Sequence, residues 1–228
     1  MTAETFEAYA ADRPDARFTE WLRERSEPDW TRATEHRFVR ELGAGTLEDA
    51  VFRRYLVQDY AFVGTLTGAF GHAVGTAPTM EAKARLSGFL GTLTDEENDY
   101  FERSFDALGV PEADRTDPAM TGVTEAFEDL LVRAAHEGGY EETLAVLVPA
   151  EWIYLTWASN VSDPPEAFYL REWVALHEAP EFESFVGWLR DELDEHGPSL
   201  SERRRRRVER LFRRTVSLEA TFFEMAYE

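Results

Sequence analysis

Three carboxylates stand where a helix should be apolar. In "LAVLVPAEWIYLTWAS", residues 144–159, Glu151 has Leu147, Val148, Tyr154, Leu155 and Ala158 at helical spacings, so it shares the core-facing side. Asp59 lies in the same way among Tyr55, Leu56, Phe62 and Val63. Glu219 lies among Val216, Phe222, Phe223 and Ala226, with Thr215 above it. Most of the chain's 45 acids occupy plainly polar runs. A carboxylate on an apolar stripe is costly unless something pairs with it or uses it. One explanation is three separate structural acids, each hydrogen-bonded to a Tyr, Trp or Arg. The other is that helices of one domain bring the acids to a common polar pocket. Like charges held close raise one another's pKa, which places a general acid and a general base in one site. The aromatics Tyr55, Phe62, Trp152, Tyr154 and Phe222 would serve equally as core or as walls for a flat ligand.

Metal binding is the rival use of buried acids. Helical di-iron sites repeat Glu-x-x-His. The five histidines, His36, His72, His136, His177 and His196, have no Glu three residues before them. His36, in "ATEHRFV", is conceivable as a haem ligand but reads better as structural. The chain has no cysteine, which removes disulfides, thiolate metal sites and a Cys nucleophile together. It contains no G-x-S-x-G elbow, P-loop or Gly-rich dinucleotide fingerprint.

The elements that must position these acids are helical. In 47–74, Phe52, Tyr55, Leu56, Phe62, Val63, Leu66 and Phe70 form one stripe. Helices are predicted near 15–26, 30–43, 47–74, 79–108, 119–137, 141–159, 165–177, 181–196 and 199–226. Gly- and Pro-rich breaks such as "GTAP" (75–78) and "SDPP" (162–165) separate them. No strand, repeat or linker is apparent. The expectation is one all-α domain over 1–228, with 1–14 flexible or peripheral. Its helices are too many for a simple four-helix bundle.

The 228 residues are enough for one sizeable core, and 43% hydrophobic content fits a packed globular chain. No run reaches the length of a membrane span, and the N-terminus lacks signal-peptide regions, so a cytoplasmic location is expected. A net charge of −21 argues against nucleic-acid or anionic-membrane partners. Lys83 is the only lysine among 24 basic residues. Many acids with almost no Lys point to a salt-rich, halophilic cytoplasm, although a GC-rich genome would explain the arginines equally well. The run "ERRRRRVERLFRR" reads as an amphipathic helix whose arginines pair with an acidic surface or serve a subunit interface, not as a nucleic-acid site.

Taken together, "WTRATEHRFVRELGAGTL", "FRRYLVQDYAFV", "PAEWIY", "EWVALHEAPEFESFV" and "SLEATFFEMAY", in that order and spacing, resemble the TenA/thiaminase II family over about residues 15–227. The resemblance implies the haem-oxygenase-like all-α fold. It implies hydrolysis of aminopyrimidines in thiamin salvage without cofactor, in a homo-oligomer (dimer or tetramer). Ala150 stands where one branch of the family has its Cys nucleophile. Glu151 and Tyr154 match the arrangement of the Cys-less TenA_E branch, associated with aminomethylpyrimidine and its N-formyl derivative. By the same resemblance, Asp59 holds the pyrimidine's amino edge and Glu219 is the C-terminal catalytic acid. Phe62 replaces a ring-facing Tyr, and His177 stands where a Tyr is common. A Tyr usual before the 124–137 helix has no clear counterpart in "PAMTGVTEAF".

The resulting expectation is a cofactor-free C–N hydrolase. Glu219, Glu151 and Tyr154 are its catalytic candidates. Asp59, Phe62, Tyr55, His177 and Phe222 are its substrate-binding candidates, with no metal ligand. Two alternatives stay open: a non-catalytic binder of aminopyrimidines or thiamin intermediates, and a haem or di-metal fold-mate.

Overall fold

A computed structural model describes residues 4–228; the first three residues of the predicted peripheral 1–14 segment lie outside it. Every regular element among the described residues is helical. In order they are α1 (Phe6–Ala10), α2 (Phe18–Arg25), α3 (Asp29–Thr34), α4 (Arg37–Gly43), α5 (Asp49–Thr76), α6 (Met80–Thr94), α7 (Glu96–Leu108), α8 (Glu112–Thr116), α9 (Gly122–Glu137), α10 (Tyr140–Ala158), α11 (Phe168–Glu178), α12 (Pro180–His196) and α13 (Glu202–Met225). A 3₁₀ turn at Gly197–Ser199 precedes α13.

The bundle is organised around α10. Its sequence is apolar on every side, and a helix of that kind belongs inside a protein. It packs against α3, α5, α9, α11, α12 and α13. All residues from Thr143 to Tyr154 are buried, Glu151 included. The longer, amphipathic α5 and α13 flank it and turn Asp59 and Glu219 inward. One hydrophobic cluster runs from Tyr9 to Ala226 through all these helices. At the periphery, α1 is tied down by Tyr9, whose hydroxyl donates to Glu24 at 2.9 Å.

Two predicted helices are each divided. The 30–43 segment breaks at Glu35, and His36 starts the next helix by accepting the Phe38 N–H on Nδ1 at 3.1 Å. That satisfies a donor that a helix start otherwise leaves orphaned. Nε2 of His36 faces Glu224 at 3.0 Å, so both ring nitrogens are engaged and the haem-ligand role imagined for this residue has no free donor atom. The 79–108 segment breaks at Asp95, a residue type that favours caps over helix interiors. Beyond α8, Gln58 holds the loop before α9. It donates to the Ala119 carbonyl (3.1 Å) and accepts from the Thr121 N–H (2.9 Å) and the Thr124 hydroxyl (2.7 Å).

The arginine run forms the exposed face of α13, as the amphipathic pattern requires. Arg205 pairs with Glu7, Arg207 with Glu137 and Arg213 with Glu209. Arg203, Arg210 and Arg214 have no ion-pair partner among the described residues and line an open groove with Arg133.

Arg204 has a structural task. Glu142 is 2% exposed and caps α10 by accepting the Gly139 N–H at 3.0 Å. Arg204 donates to Glu142 at 2.9 Å through Nε and to Glu141 at 2.8 Å. Burial alone would raise the Glu142 pKa, but Arg204 and the Gly139 N–H outweigh it and hold the carboxyl below its ordinary range. Arg204→Ala leaves that carboxylate buried and unpaired. With Arg204 itself partly solvated, the expected loss is about 1–3 kcal/mol, read as a lower denaturation midpoint. An unchanged midpoint would show that Glu142 is satisfied without it.

Candidate active site

Side chains from six helices line one narrow cavity of about 30 Å³. Asp59, Phe62, Val63 and Leu66 come from α5, Leu93 from α6 and Glu97 from α7. Ala150, Glu151 and Tyr154 come from α10, Trp173 and His177 from α11, and Glu219 from α13. The three acids found on apolar stripes therefore meet. Asp59 is 3% exposed, Glu151 6% and Glu219 1%. Each has one oxygen (Oδ2, Oε1 and Oε1 respectively) that is buried without a hydrogen-bond partner. Orphaned buried acceptors are uncommon in folded proteins and call for an explanation such as a ligand.

The electrostatics follow from this crowding. Burial pushes Asp59 up to about 8, against the pull of the Tyr55 hydroxyl. Burial, with the charge of Asp59, pushes Glu151 up to about 8. Glu219 rises well above the usual range through burial and then through Asp59 and Glu151. No Arg or Lys lines the cavity. Near neutral pH the empty site therefore holds these acids mainly protonated, and one must give up its proton before the pair can act as base and acid.

The remaining lining groups are held by neighbours. The Tyr154 hydroxyl shares a 2.8 Å hydrogen bond with that of Tyr55. His177 Nδ1 lies 2.8 Å from the Trp173 carbonyl oxygen, which only accepts, so Nδ1 carries the proton and Nε2 keeps its lone pair. Burial lowers His177 to about 4, so its ring is neutral. Phe62 packs on Phe127 at 4.5 Å between ring centroids.

Of the candidates read from sequence, Asp59, Phe62, Glu151, Tyr154, His177 and Glu219 line the cavity. Tyr55 and Phe222 do not. They stand behind its wall, Tyr55 bonded to Tyr154 and Phe222 packed on Phe62 and Tyr55. Trp152, considered as a wall residue, instead packs on Trp30 with the Arg190 guanidinium over its ring. Sequence reasoning missed Glu97, Trp173 and Leu93. Glu97 does have Leu93, Tyr100 and Phe101 at helical spacings, but the surrounding "TDEENDYFER" hides that stripe in charge. No group of three or more His, Asp and Glu among the described residues is arranged to hold a metal ion. No described helix is long and apolar enough to cross a membrane.

The fold defines an all-α helical protein with an acid-lined cavity built across its central helix. The chain belongs to the TENA/THI-4/PQQC family, whose pattern matches residues 23–228. It is 28% identical over 218 residues to an aminopyrimidine aminohydrolase from Halalkalibacterium halodurans, covering 92% of this chain and 95% of that one. It is 24% identical over 213 residues to an aminopyrimidine aminohydrolase from Helicobacter pylori, covering 92% and 98%. Among solved structures, a TenA homologue from P. horikoshii OT3 superposes with a TM-score of 0.82 at 27% identity, covering 93% and 99% of the two chains.

Proposed function

We propose that the protein is an aminopyrimidine aminohydrolase of thiamin salvage, cleaving a C–N bond of an aminomethylpyrimidine or its N-formyl derivative with carboxylates in place of a Cys nucleophile. The observation that carries this reading is the convergence of Asp59, Glu151 and Glu219, from three helices, on one cavity with an unpartnered oxygen each. The names of the relatives from H. halodurans and H. pylori support the substrate class.

An aminopyrimidine offers an amino donor beside a ring-nitrogen acceptor. Asp59 accepts from the first and, when protonated, donates to the second. Phe62, Val63 and Leu66 supply the apolar wall for the ring. Of Glu151 and Glu219, the ionised one takes a proton from water as the water oxygen bonds to the carbon. The protonated one keeps the departing nitrogen protonated as the C–N bond breaks. Tyr154, fixed by Tyr55, orients Glu151 or the reacting centre. Ala150 lines the cavity at the position where a thiol is absent.

Incubation with aminomethylpyrimidine, its N-formyl derivative and thiamin, with ammonia and formate followed, tests the activity. Turnover of at least one pyrimidine is expected; none, from wild type and Glu219→Gln alike, overturns it. Thermal stabilisation by the same compounds without product would favour the binding-only alternative. Because one acid must be ionised and another protonated, kcat/KM is expected to be bell-shaped in pH. Its acidic limb should rise towards 8, where Asp59 and Glu151 give up their protons and supply the base, and its alkaline limb should follow as the remaining acid ionises. A pH–rate series at constant ionic strength checks this, and a flat profile through pH 9 would remove acid catalysis from the mechanism.

The surface charge supports a salt-rich cytoplasm as the protein's setting. The arginine-lined groove on α13 supports a homo-oligomer, since it offers a docking place for an acidic copy. Light scattering at high and low salt reads the latter.

A further inference from the structure

The mechanism leaves one acid of the cavity without work. Glu97 opens α7 in its first turn, lines the cavity and is only half-buried, so it stands at the mouth. It makes no hydrogen bond or ion pair with any described residue. With it, the lining holds four acids, one neutral histidine and no Arg or Lys. A site this short of positive charge favours a ligand that brings its own.

We propose that Glu97 is a specificity-determining residue whose carboxylate, beside Glu151 at the cavity mouth, receives the positively charged end of the substrate, a protonated aliphatic amine carried by the aromatic ring. The inference rests on the aminopyrimidine reading and deepens it. The inner acids have their tasks with the ring and the reacting centre, and Phe62, Leu66 and Leu93 suit the flat apolar part. Glu97 meets the exocyclic end. Burial, then the charges of Glu151 and Asp59, push its pKa well up. An arriving cation reverses that bias, so occupancy by an ammonium group relieves repulsion that a neutral group leaves in place. The N-formyl derivative, being neutral, gains nothing from Glu97.

The test compares two ligands differing only at that end, aminomethylpyrimidine and hydroxymethylpyrimidine, by calorimetry in the Glu219→Gln background so that neither is consumed. The amine is expected to bind more tightly than the alcohol by on the order of tenfold. Adding Glu97→Gln should abolish that preference while leaving alcohol binding in place, and Glu97→Asp should retain it. Equal affinity for the two ligands before Glu97 is changed, or equal weakening of both by Glu97→Gln, overturns the proposal while the aminopyrimidine reading stands. Binding of neither ligand removes both.

Discussion

Glu219→Gln is expected to lower kcat for amine release by about 10²–10⁴-fold, the usual worth of positioned proton transfer, with no loss of thermal stability. The two halves of this result belong together. Glu219 is 1% exposed, and its Oε1 has no partner. Burial and then Asp59 and Glu151 raise its pKa well above the carboxylate range, so in the ligand-free protein it is held largely as the neutral acid. Glutamine is close to that neutral acid in shape, so the fold should accept it. What glutamine lacks is the ability to exchange a proton. A structural acid would behave in the opposite way, with the melting temperature falling and the residual activity tracking the folded fraction. Steady-state kinetics beside a thermal melt of the same preparation separates the two. A melting temperature lowered by several degrees with kcat unchanged per folded molecule would remove Glu219 from the chemistry.

The second large effect is on the stability of the ligand-free protein as pH rises. Asp59 moves from an ordinary 3.8 to about 8 and Glu151 from 4.5 to about 8 on folding. A group whose pKa is raised by folding contributes its stability fully below the unfolded value. It loses that contribution as pH climbs through the folded value. The window is therefore about pH 4 to 8, within which the unfolded chain ionises freely and the folded one does not. Each tenfold change in proton affinity corresponds to about 1.4 kcal/mol, so these two groups together are worth several kcal/mol. Glu142, held down by Arg204 and the Gly139 N–H, acts in the other sense and loses its contribution as pH falls. Chemical denaturation at pH 5 and pH 8 in high salt, which screens the surface charges, reads the balance. Wild type should lose markedly more between the two than Asp59→Asn/Glu151→Gln, and a saturating aminopyrimidine should restore the difference. Equal slopes for wild type and double variant would mean that these carboxyls are solvated in solution. Both effects express one design: a cavity whose acids destabilise the empty fold and are put to use when a ligand enters.

Most of the helices and the inward direction of three acids were legible in the residue pattern. Both follow from a local geometry, the 3.6-residue period, which needs no knowledge of neighbours. Asp59, Glu151 and Glu219 were legible because their stripes are otherwise apolar. Glu97 lies on a similar stripe, but Asp95, Glu96, Asp99 and Glu102 surround it. Its inward face became visible only when the break at Asp95 set α7 over the cavity. Periodicity likewise could not sort the aromatics. Tyr55 and Phe222 point inward by spacing, as Phe62 and Tyr154 do, and Trp152 adjoins Glu151, yet the first two back the wall and Trp152 packs elsewhere. The divisions at Glu35 and Asp95 also escaped the pattern, because a single capping residue ends a helix without disturbing the apolar stripe on either side. A period tells which way a side chain faces along its own helix. What it meets there, a cavity or another ring, depends on how α5, α7, α10, α11 and α13 pack together, which a helical period does not contain.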